Sequence, residues 1–318
     1  MPAAIDVVIV AYNRYDLTAS CLRHLGQQTV PHRIIVVDNG STDDTRARLS
    51  AEWPDAELQC FDDNRGFAEA CNRGVAAGVG EVIVLLNNDV DCRPDFLERV
   101  TAPLQADPRV GSVASLMLQP GEQTIDSFGL VADPTLACFP RLQGYPVEHA
   151  GDEHPLLTGP AGTAAAYRRS AWAAIGGLDE TIFAYYEDFD LALRLRSAGW
   201  RSVAAADAVG VHLGSATHGH RSAWQRRHGG FGRAYLLRRY GVLRSASALR
   251  TLATEGTVVI GDLVISHDTA ALSGRICGWR TGARRPRLPR PPADAIDATI
   301  GLRDSLALRR GVYDRRAA

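Results

Sequence analysis

The chain contains no lysine: all 35 of its Lys-plus-Arg positions are arginine. With the abundant alanine and glycine, this marks a GC-rich coding genome and says little about chemistry. An excess of one charge sign is also missing. The formal net charge is −1 over 318 residues, so there is no global attraction to nucleic acid and no nucleic-acid partner is expected. Cysteine is sparse. Cys21, Cys60, Cys71, Cys92, Cys138 and Cys277 include no C-x-x-C pair, which excludes the usual zinc and dithiol motifs. Several lie in apolar runs, where a thiol acts as a small hydrophobe. No uninterrupted apolar stretch reaches the ~18 residues of a membrane-span candidate. The best one, Thr257 to Leu272, is broken by Asp262, His267 and Asp268. The opening Met-Pro-Ala-Ala runs straight into a strand-like segment, without the pattern of a secretory signal. These absences predict a cytoplasmic protein, with peripheral contact at the inner face of the membrane as the second expectation.

What is present is a hydrophobic fraction of 46%, ordinary for a chain that buries a core. The length suits one large α/β domain plus an appendage, or two small domains. The first 90 residues alternate strand and helix signals. Ile5–Val10, Ile34–Val37, Leu58–Phe61 and Val82–Leu86 read as strands, the longer ones as buried parallel strands. Leu17, Cys21, Leu22 and Leu25 recur at helical spacing, and Phe67 to Ala77 reads as a second helical run. Ser41 or Thr42 is expected to cap a helix with Asp43 and Asp44 in its first turn. Further on, Val110–Leu116 and Ile125–Val131 read as strands, 133–155 as a long loop, 170–199 as helix, and Val203 and Val209–Leu213 as short strands. A helix near 221–240 ends at Gly241, and Arg280–Pro292 reads as exposed.

Strand–helix alternation predicts a Rossmann-like, mostly parallel sheet wrapped by helices on both faces. Ligands bind such sheets outside the carboxyl ends of the strands. Three clusters follow buried strands directly: Ala11-Tyr12-Asn13, Asp38-Asn39-Gly40 and Asn87-Asn88-Asp89. A carboxylate there can hold a divalent cation against a diphosphate, or can simply form a turn. On a helical projection of Tyr185-Tyr186-Glu187-Asp188-Phe189-Asp190, Asp188 heads an apolar stripe with Leu191, Ala192 and Leu195. Glu187, Asp190 and Arg194 fall on another face, where the acidic pair is expected to reach solvent. An inward carboxylate at a helix start is either a cap or a general base facing a pocket. His212 ends the short apolar run Val209-Gly210-Val211-His212 and reads as a structural residue or a ligand.

Together these residues resemble the family 2 inverting glycosyltransferases. The resemblance rests on Val7-Val8-Ile9-Val10-Ala11-Tyr12-Asn13-Arg14, Val36-Val37-Asp38-Asn39-Gly40-Ser41-Thr42-Asp43, and Asn64-Arg65-Gly66-Phe67-Ala68 with Asn72. Leu85-Leu86-Asn87-Asn88-Asp89, Gly176-Gly177-Leu178-Asp179-Glu180 and Tyr186-Glu187-Asp188-Phe189-Asp190 complete it. The motifs are weak singly; their order and spacing over roughly residues 5–215 are specific. The resemblance implies a GT-A fold over 1–215 and a nucleotide-diphosphate sugar donor; the shift of composition toward Arg, Ala and Leu after about 215 predicts a mainly helical C-terminal extension over 216–318. It implies Ala11, Tyr12, Asn13 and Asp38 around the base and ribose, and Asn64, Gly66 and Asn72 near the ribose and diphosphate. Asn87-Asn88-Asp89 matches the Asp-x-Asp motif, so Asn87 and Asn88 stand with the donor-binding residues and Asp89 with the metal. Asp188 matches the catalytic base and His212 a second ligand to Mg²⁺ or Mn²⁺. Asn87 departs from the motif and leaves Asp89 as the main anionic anchor.

The Asn-Asn-Asp form resembles the branch with many rhamnosyltransferases and cell-wall polysaccharide enzymes. Its implied donor is dTDP-rhamnose first and a UDP-hexose second; the acceptor is a glycan, a lipid-linked glycan or a small molecule. Two rival classes stand beside this one. A nucleotidyltransferase would open with a Gly-rich basic phosphate loop, which Ala11-Tyr12-Asn13-Arg14 lacks. A catalytically inactive carbohydrate-binding or scaffold protein could share the fold. In the extension, Arg221, Arg226, Arg227, Arg233, Arg238 and Arg239 alternate with Trp224, Phe231 and Tyr235. This helix either meets an anionic membrane or acceptor, or packs its aromatic residues onto the core.

Overall fold

The computed structural model describes residues 4–151, 156–214 and 222–309. Its first half alternates strand and helix: β1 (Ile5–Ala11), α1 (Tyr15–Leu25), β2 (Arg33–Asn39), α2 (Thr45–Glu52), β3 (Glu57–Phe61), α3 (Phe67–Ala77) and β4 (Val82–Asn87). The first, second and fourth strands are β-branched runs, and β1 is apolar on both sides: Val7 and Ile9 pack into one cluster, Val8 into another. β5 (Val90–Cys92), α4 (Phe96–Ala106), β6 (Val110–Leu118), β7 (Ile125–Ser127), β8 (Leu130–Ala132) and β9 (Cys138–Pro140) follow. β10 (Ala164–Arg168), α5 (Arg169–Ile175), α6 (Glu187–Ser197) and β11 (Arg201–His212) close the sheet.

The sheet order is β3-β2-β1-β4-β10-β6-β11-β5, with β7 on β6. The pairs among β1 to β4 are parallel, as expected, whereas β10 runs antiparallel to both its neighbours. The second half is therefore mixed. Helices cover both faces: Leu22, Leu25, Phe96 and Val100 on one, Cys71, Trp172, Leu191 and Leu195 on the other.

Four local expectations change. The helix after β2 starts at Thr45 with Asp44, not Ser41 or Thr42, at its N-cap: the Ser41 hydroxyl accepts from the Asn13 amide at 2.8 Å and the Thr42 amide donates to Asn13 Oδ1 at 2.8 Å, which ties both residues into the preceding loop. The 125–131 run splits into β7 and β8 near Gly129, whose φ of +86° and lack of room for a Cβ bend the chain. The 170–199 helix is two helices, interrupted by Gly176 and Gly177 at φ +74° and +73°. Val203 and Val209 belong to one strand, β11, with a register shift between Ala205 and Val209.

The last third is helical: α7 (Ala223–Arg239), α8 (Ala248–Ser266), α9 (Ala270–Ala283) and α10 (Leu302–Leu308). α7 and α9 meet backbone to backbone. A Cβ on Gly274 would lie 1.9 Å from the Arg227 carbonyl oxygen, and one on Gly278 2.1 Å from that of Phe231. α7 also shares a core with the first part of the chain, where Tyr235, Leu236 and Tyr240 pack with Leu130, Ile182, Phe189 and Leu193. Arg221 lies outside the described residues. Other arginines of α7 are engaged by protein carboxylates: Arg226 pairs with Asp268, Arg233 with Glu255 at 2.8 Å, and Arg239 with Asp179 at 3.2 Å. Tyr235 is buried and donates to Asp179 Oδ2 at 2.6 Å. Of the two readings of this helix, packing onto the core describes these contacts.

Candidate active site

The site is assembled by sheet register. β4 ends at Asn87, and the chain turns through Asn88 and Asp89 into β5. β5 pairs antiparallel with β11, setting His212 opposite Val90, and the Leu213 amide donates to the Asp89 carbonyl at 3.0 Å. His212 Nε2 thereby comes within 3.4 Å of Asp89 Oδ1. Its other nitrogen, Nδ1, lies 2.8 Å from Asp126 Oδ2 on β7. Burial works against a charge on this imidazole, yet the hydrogen bonds it donates to the Asp126 and Asp89 carboxylates raise its pKa to about 9.

A second carboxylate arrives from the opposite direction, at the start of α6. The residues before it, Tyr185 and Tyr186, are left-handed at φ +66° and +77°. Such a conformation costs a non-glycine residue on the order of 1–3 kcal/mol and persists only where its surroundings enforce it. Here they do: a Cβ on Gly232 of α7 would sit 2.5 Å from the Tyr185 carbonyl oxygen, and Phe67 donates to the Phe183 carbonyl at 2.7 Å. The result aims Asp188 into a cavity of about 350 Å³ shared with Asn87, Asn88, Asp89 and His212. Asp188 Oδ2 accepts from the Gly162 amide at 2.8 Å and Oδ1 from the Phe189 amide at 2.7 Å.

The acidic neighbours of Asp188 do not reach solvent as the helical projection predicts. Glu187 and Asp190 are both buried. α6 is covered on more than one side, and α7 ends over it: Asp190 binds Arg194 at 2.6 Å and accepts from the Tyr240 hydroxyl at 3.2 Å. Glu187 lines the cavity and has one carboxylate oxygen, Oε2, buried without a partner. Burial, then the neighbouring Asp188 charge, pushes its pKa up to about 8. Burial raises Asp188 too, but its two amide donors favour its anion.

The expected donor-side residues divide. Tyr12, Asn64, Gly66, Asn87 and Asn88 line the cavity. Ala11, Asn13, Asp38 and Asn72 do not. Ala11 is buried in β1. Asn13 ties down the loop after β2 through Thr42. Asp38 is fully buried and held by Arg46 Nε at 2.7 Å. Asn72 faces the Leu178–Glu180 segment, donating to Leu178 O and Glu180 Oε1 at 2.9 Å each. The adjacent Asn39 lines the cavity instead, and its amide reaches Asn64 Oδ1 at 3.1 Å and Gly66 O at 3.2 Å.

The chain resembles known proteins in sequence and in fold. The model of glycosyl transferase family 2 matches residues 6–176, more than half of the chain. The chain belongs to glycosyl transferase family 2. A second model, glycosyl transferase family group 2, matches residues 151–273 of this glycosyltransferase. It is 28% identical over 235 residues to the N-acetylglucosaminyl-diphospho-decaprenol L-rhamnosyltransferase of Mycobacterium tuberculosis, covering 67% of this chain and 76% of the relative. A mannosyltransferase of Pyrobaculum calidifontis, solved with GDP-Man and Mn²⁺, superposes with a TM-score of 0.52 at 18% identity, over 89% of this chain and 86% of that one. GalNAc-T7, solved with UDP, GalNAc and Mn²⁺, superposes with a TM-score of 0.57 at 13% identity, over 83% of this chain and 58% of that one. The fold is that of the GT-A glycosyltransferases, and family membership decides against the nucleotidyltransferase class.

Several residues in and around this cavity escape a reading of sequence. Asp126 is 86 positions from His212, and only the β6–β7 pairing brings it near. Phe183, Tyr185, Trp224 and Gln225 line the cavity from the α6 approach and from α7; the aromatic residues among them are a signal visible in the sequence. Glu187 yields a stability prediction. Its pKa is raised from 4.5 to about 8 on folding, so its contribution is fully present below pH ~4.5 and lost as pH rises through about 8. Glu187→Gln should therefore gain stability relative to the parent as pH rises from 5 to 8, in paired thermal melts. A constant difference across that range would show that Glu187 ionises as freely in the folded state as in the unfolded one.

Proposed function

We propose that the protein is an inverting glycosyltransferase that moves a sugar from a nucleotide-diphosphate donor to an acceptor hydroxyl, with Asp188 as general base. The observation that carries this reading is one cavity flanked by Asp89 and His212 from strand ends and by Asp188 from α6. Tyr12, Asn39, Asn64 and Gly66 hold the nucleotide and ribose, and Asn87 and Asn88 the diphosphate. Ala11, Asn13, Asp38 and Asn72 support that surface from behind; Asp38 does so by fixing Arg46 and the Ser41 turn. The acceptor hydroxyl gives its proton to Asp188 as its oxygen bonds to the anomeric carbon. The bond from that carbon to the diphosphate breaks, its electron pair leaves with the diphosphate, and the configuration inverts.

The donor set fits a hard divalent cation, Mg²⁺ or Mn²⁺, held by Asp89 and His212. Asp126 would accept a hydrogen bond from Nδ1–H and leave Nε2 as the ligand, the carboxylate–histidine arrangement common behind bound metals. Among the described residues no group of three or more acidic, His or Cys side chains is gathered for a metal. The remaining ligands would come from the donor's phosphates, as is common for such cations. When bound, the cation offsets charge on the departing diphosphate. Asp89→Ala should weaken Mn²⁺-dependent donor binding by about 10-fold or more, the loss typical even of residues behind a metal's ligands. Titrations unchanged from the parent would remove Asp89 from the site.

Similarity to the mycobacterial rhamnosyltransferase favours dTDP-rhamnose as donor, ahead of a UDP-hexose, and a lipid-linked glycan as acceptor. A thermal-shift panel of dTDP-, UDP- and GDP-sugars with and without Mn²⁺ tests the donor class; no stabilisation by any of them would favour the inactive scaffold. No helix among the described residues is long and apolar enough to cross a membrane. α8, however, exposes Leu249, Leu252, Ile260 and Val264 along one side, Leu249 at 82%. That stripe supports peripheral contact with a lipid surface. Co-sedimentation with phosphatidylglycerol vesicles should fall several-fold in a Leu249→Asp/Val264→Asp variant; equal pelleting would exclude α8 as the contact.

A further inference from the structure

The cavity has two chemically different sides. The strand-end side is amide and carboxylate: Asn39, Asn64, Asn87, Asn88 and Asp89. The other is aromatic and comes from elements the donor-binding surface does not use. Trp224, in the first turn of α7, lies 6.0 Å centroid to centroid from Tyr185 and 6.2 Å from Phe183, both edge-on. His228, one turn further along α7, packs on Trp224 at 4.1 Å. Trp224, Tyr185 and Phe183 all line the cavity that Asp188 also lines. The shelf is held from both ends. Gly66 leaves no space between the donor surface and Phe183, where a Cβ would meet the Phe183 carbonyl oxygen at 2.6 Å. Gly232 packs α7 against the left-handed Tyr185–Tyr186 pair. Gln225 brings an amide to the same wall and hydrogen-bonds the Tyr185 side chain.

We propose that Trp224, with Tyr185 and Phe183, is the platform on which a pyranose ring of the acceptor stacks, so that the acceptor is a glycan and not a sugar-free alcohol. A pyranose has an apolar face of C–H groups and a polar rim of hydroxyls. An aromatic face, negative at its centre, attracts those C–H groups, and an adjacent amide can receive the rim. The placement selects acceptor over donor: Tyr185 is three residues before Asp188, where the acceptor hydroxyl must sit to lose its proton. The inference rests on the proposed function for the word acceptor, but its test does not depend on turnover.

The test is saturation-transfer NMR on the full chain with octyl β-glucopyranoside, octyl β-N-acetylglucosaminide and octanol as probes. Saturation should reach the ring protons of at least one glycoside in the parent, and octanol should fail to compete with it. Trp224→Phe should keep most of that signal, whereas Trp224→Ala and the bulkier Trp224→Leu should lose it at least tenfold while still folding by circular dichroism. Retention by Trp224→Leu would reduce Trp224 to apolar filling and overturn the platform. So would the absence of ring saturation in the parent, or a Trp224→Ala loss confined to nucleotide-sugar binding. Asp188→Asn separates the two ideas: it should bind glycosides normally. If that variant also transfers sugar normally, the base assignment fails while the platform stands.

Discussion

Asp188→Asn should lower glycosyl transfer by about 10²–10⁴-fold, the usual worth of a general base, with nucleotide-sugar binding largely unchanged. The substitution is close to isosteric, and an amide oxygen can still accept from the Gly162 or Phe189 amide that now holds the carboxylate. What it removes is the ability to take a proton. The defect should therefore appear in kcat and not in the donor KM. Raising the pH should not restore the rate. Wild-type turnover by folded Asp188→Asn protein would remove the residue from the chemistry and leave it a cap for α6, the alternative its position allows.

The largest stability loss should come from a residue outside the cavity. Arg233 is 1% exposed and donates to Glu255 at 2.8 Å, to the Leu136 carbonyl, and to the Thr135 carbonyl at 3.0 Å. Burial pushes the Glu255 carboxyl up, but Arg233, Arg309 and Arg275 together hold it at about 2. Removing one partner of a buried pair typically costs about 3–5 kcal/mol, because the other charge stays buried. Arg233→Ala should therefore unfold on the order of 10 °C earlier in calorimetry. The sign with pH follows from Glu255. A depressed carboxylate contributes stability above its unfolded value near 4.5, lost as pH falls toward about 2. The gap between parent and variant should accordingly narrow in acid. A loss below about 1 kcal/mol at neutral pH would mean that Arg275 and Arg309 suffice for Glu255. Because α7 also presents Trp224, this network ties the aromatic wall of the cavity to the helical third of the chain.

How much of this was legible in the sequence depends on how local the signal is. β1, β2 and β4 are runs of β-branched residues buried on both faces, and Phe67–Ala77 was readable to the residue because Gly66 and Gly78 bracket it. The parallel half of the sheet followed from alternation; the antiparallel insertion of β10 between β4 and β6 did not, because strand order is a long-range property. Strand-end clusters include residues that line the cavity, yet alternate residues at a strand end point to opposite sides. Asn39 faces the cavity while Asp38 turns under it to Arg46. A helical projection singled out Asp188 but placed Glu187 and Asp190 in water, since it takes no account of α7 closing over α6. The partner of His212 lay beyond any spacing rule, because Asp126 reaches it through a β pairing across 86 positions.

The central claim is a single displacement with Asp188 as base, and the configuration of the product tests it most directly. The protein, supplied with Mn²⁺, the nucleotide-diphosphate sugar that stabilises it and an octyl glycoside acceptor, should yield one new glycosidic bond. The anomeric coupling in the product's NMR spectrum reports its configuration. The product should be the anomer opposite to that of the donor. A product that retains the donor's configuration would contradict it.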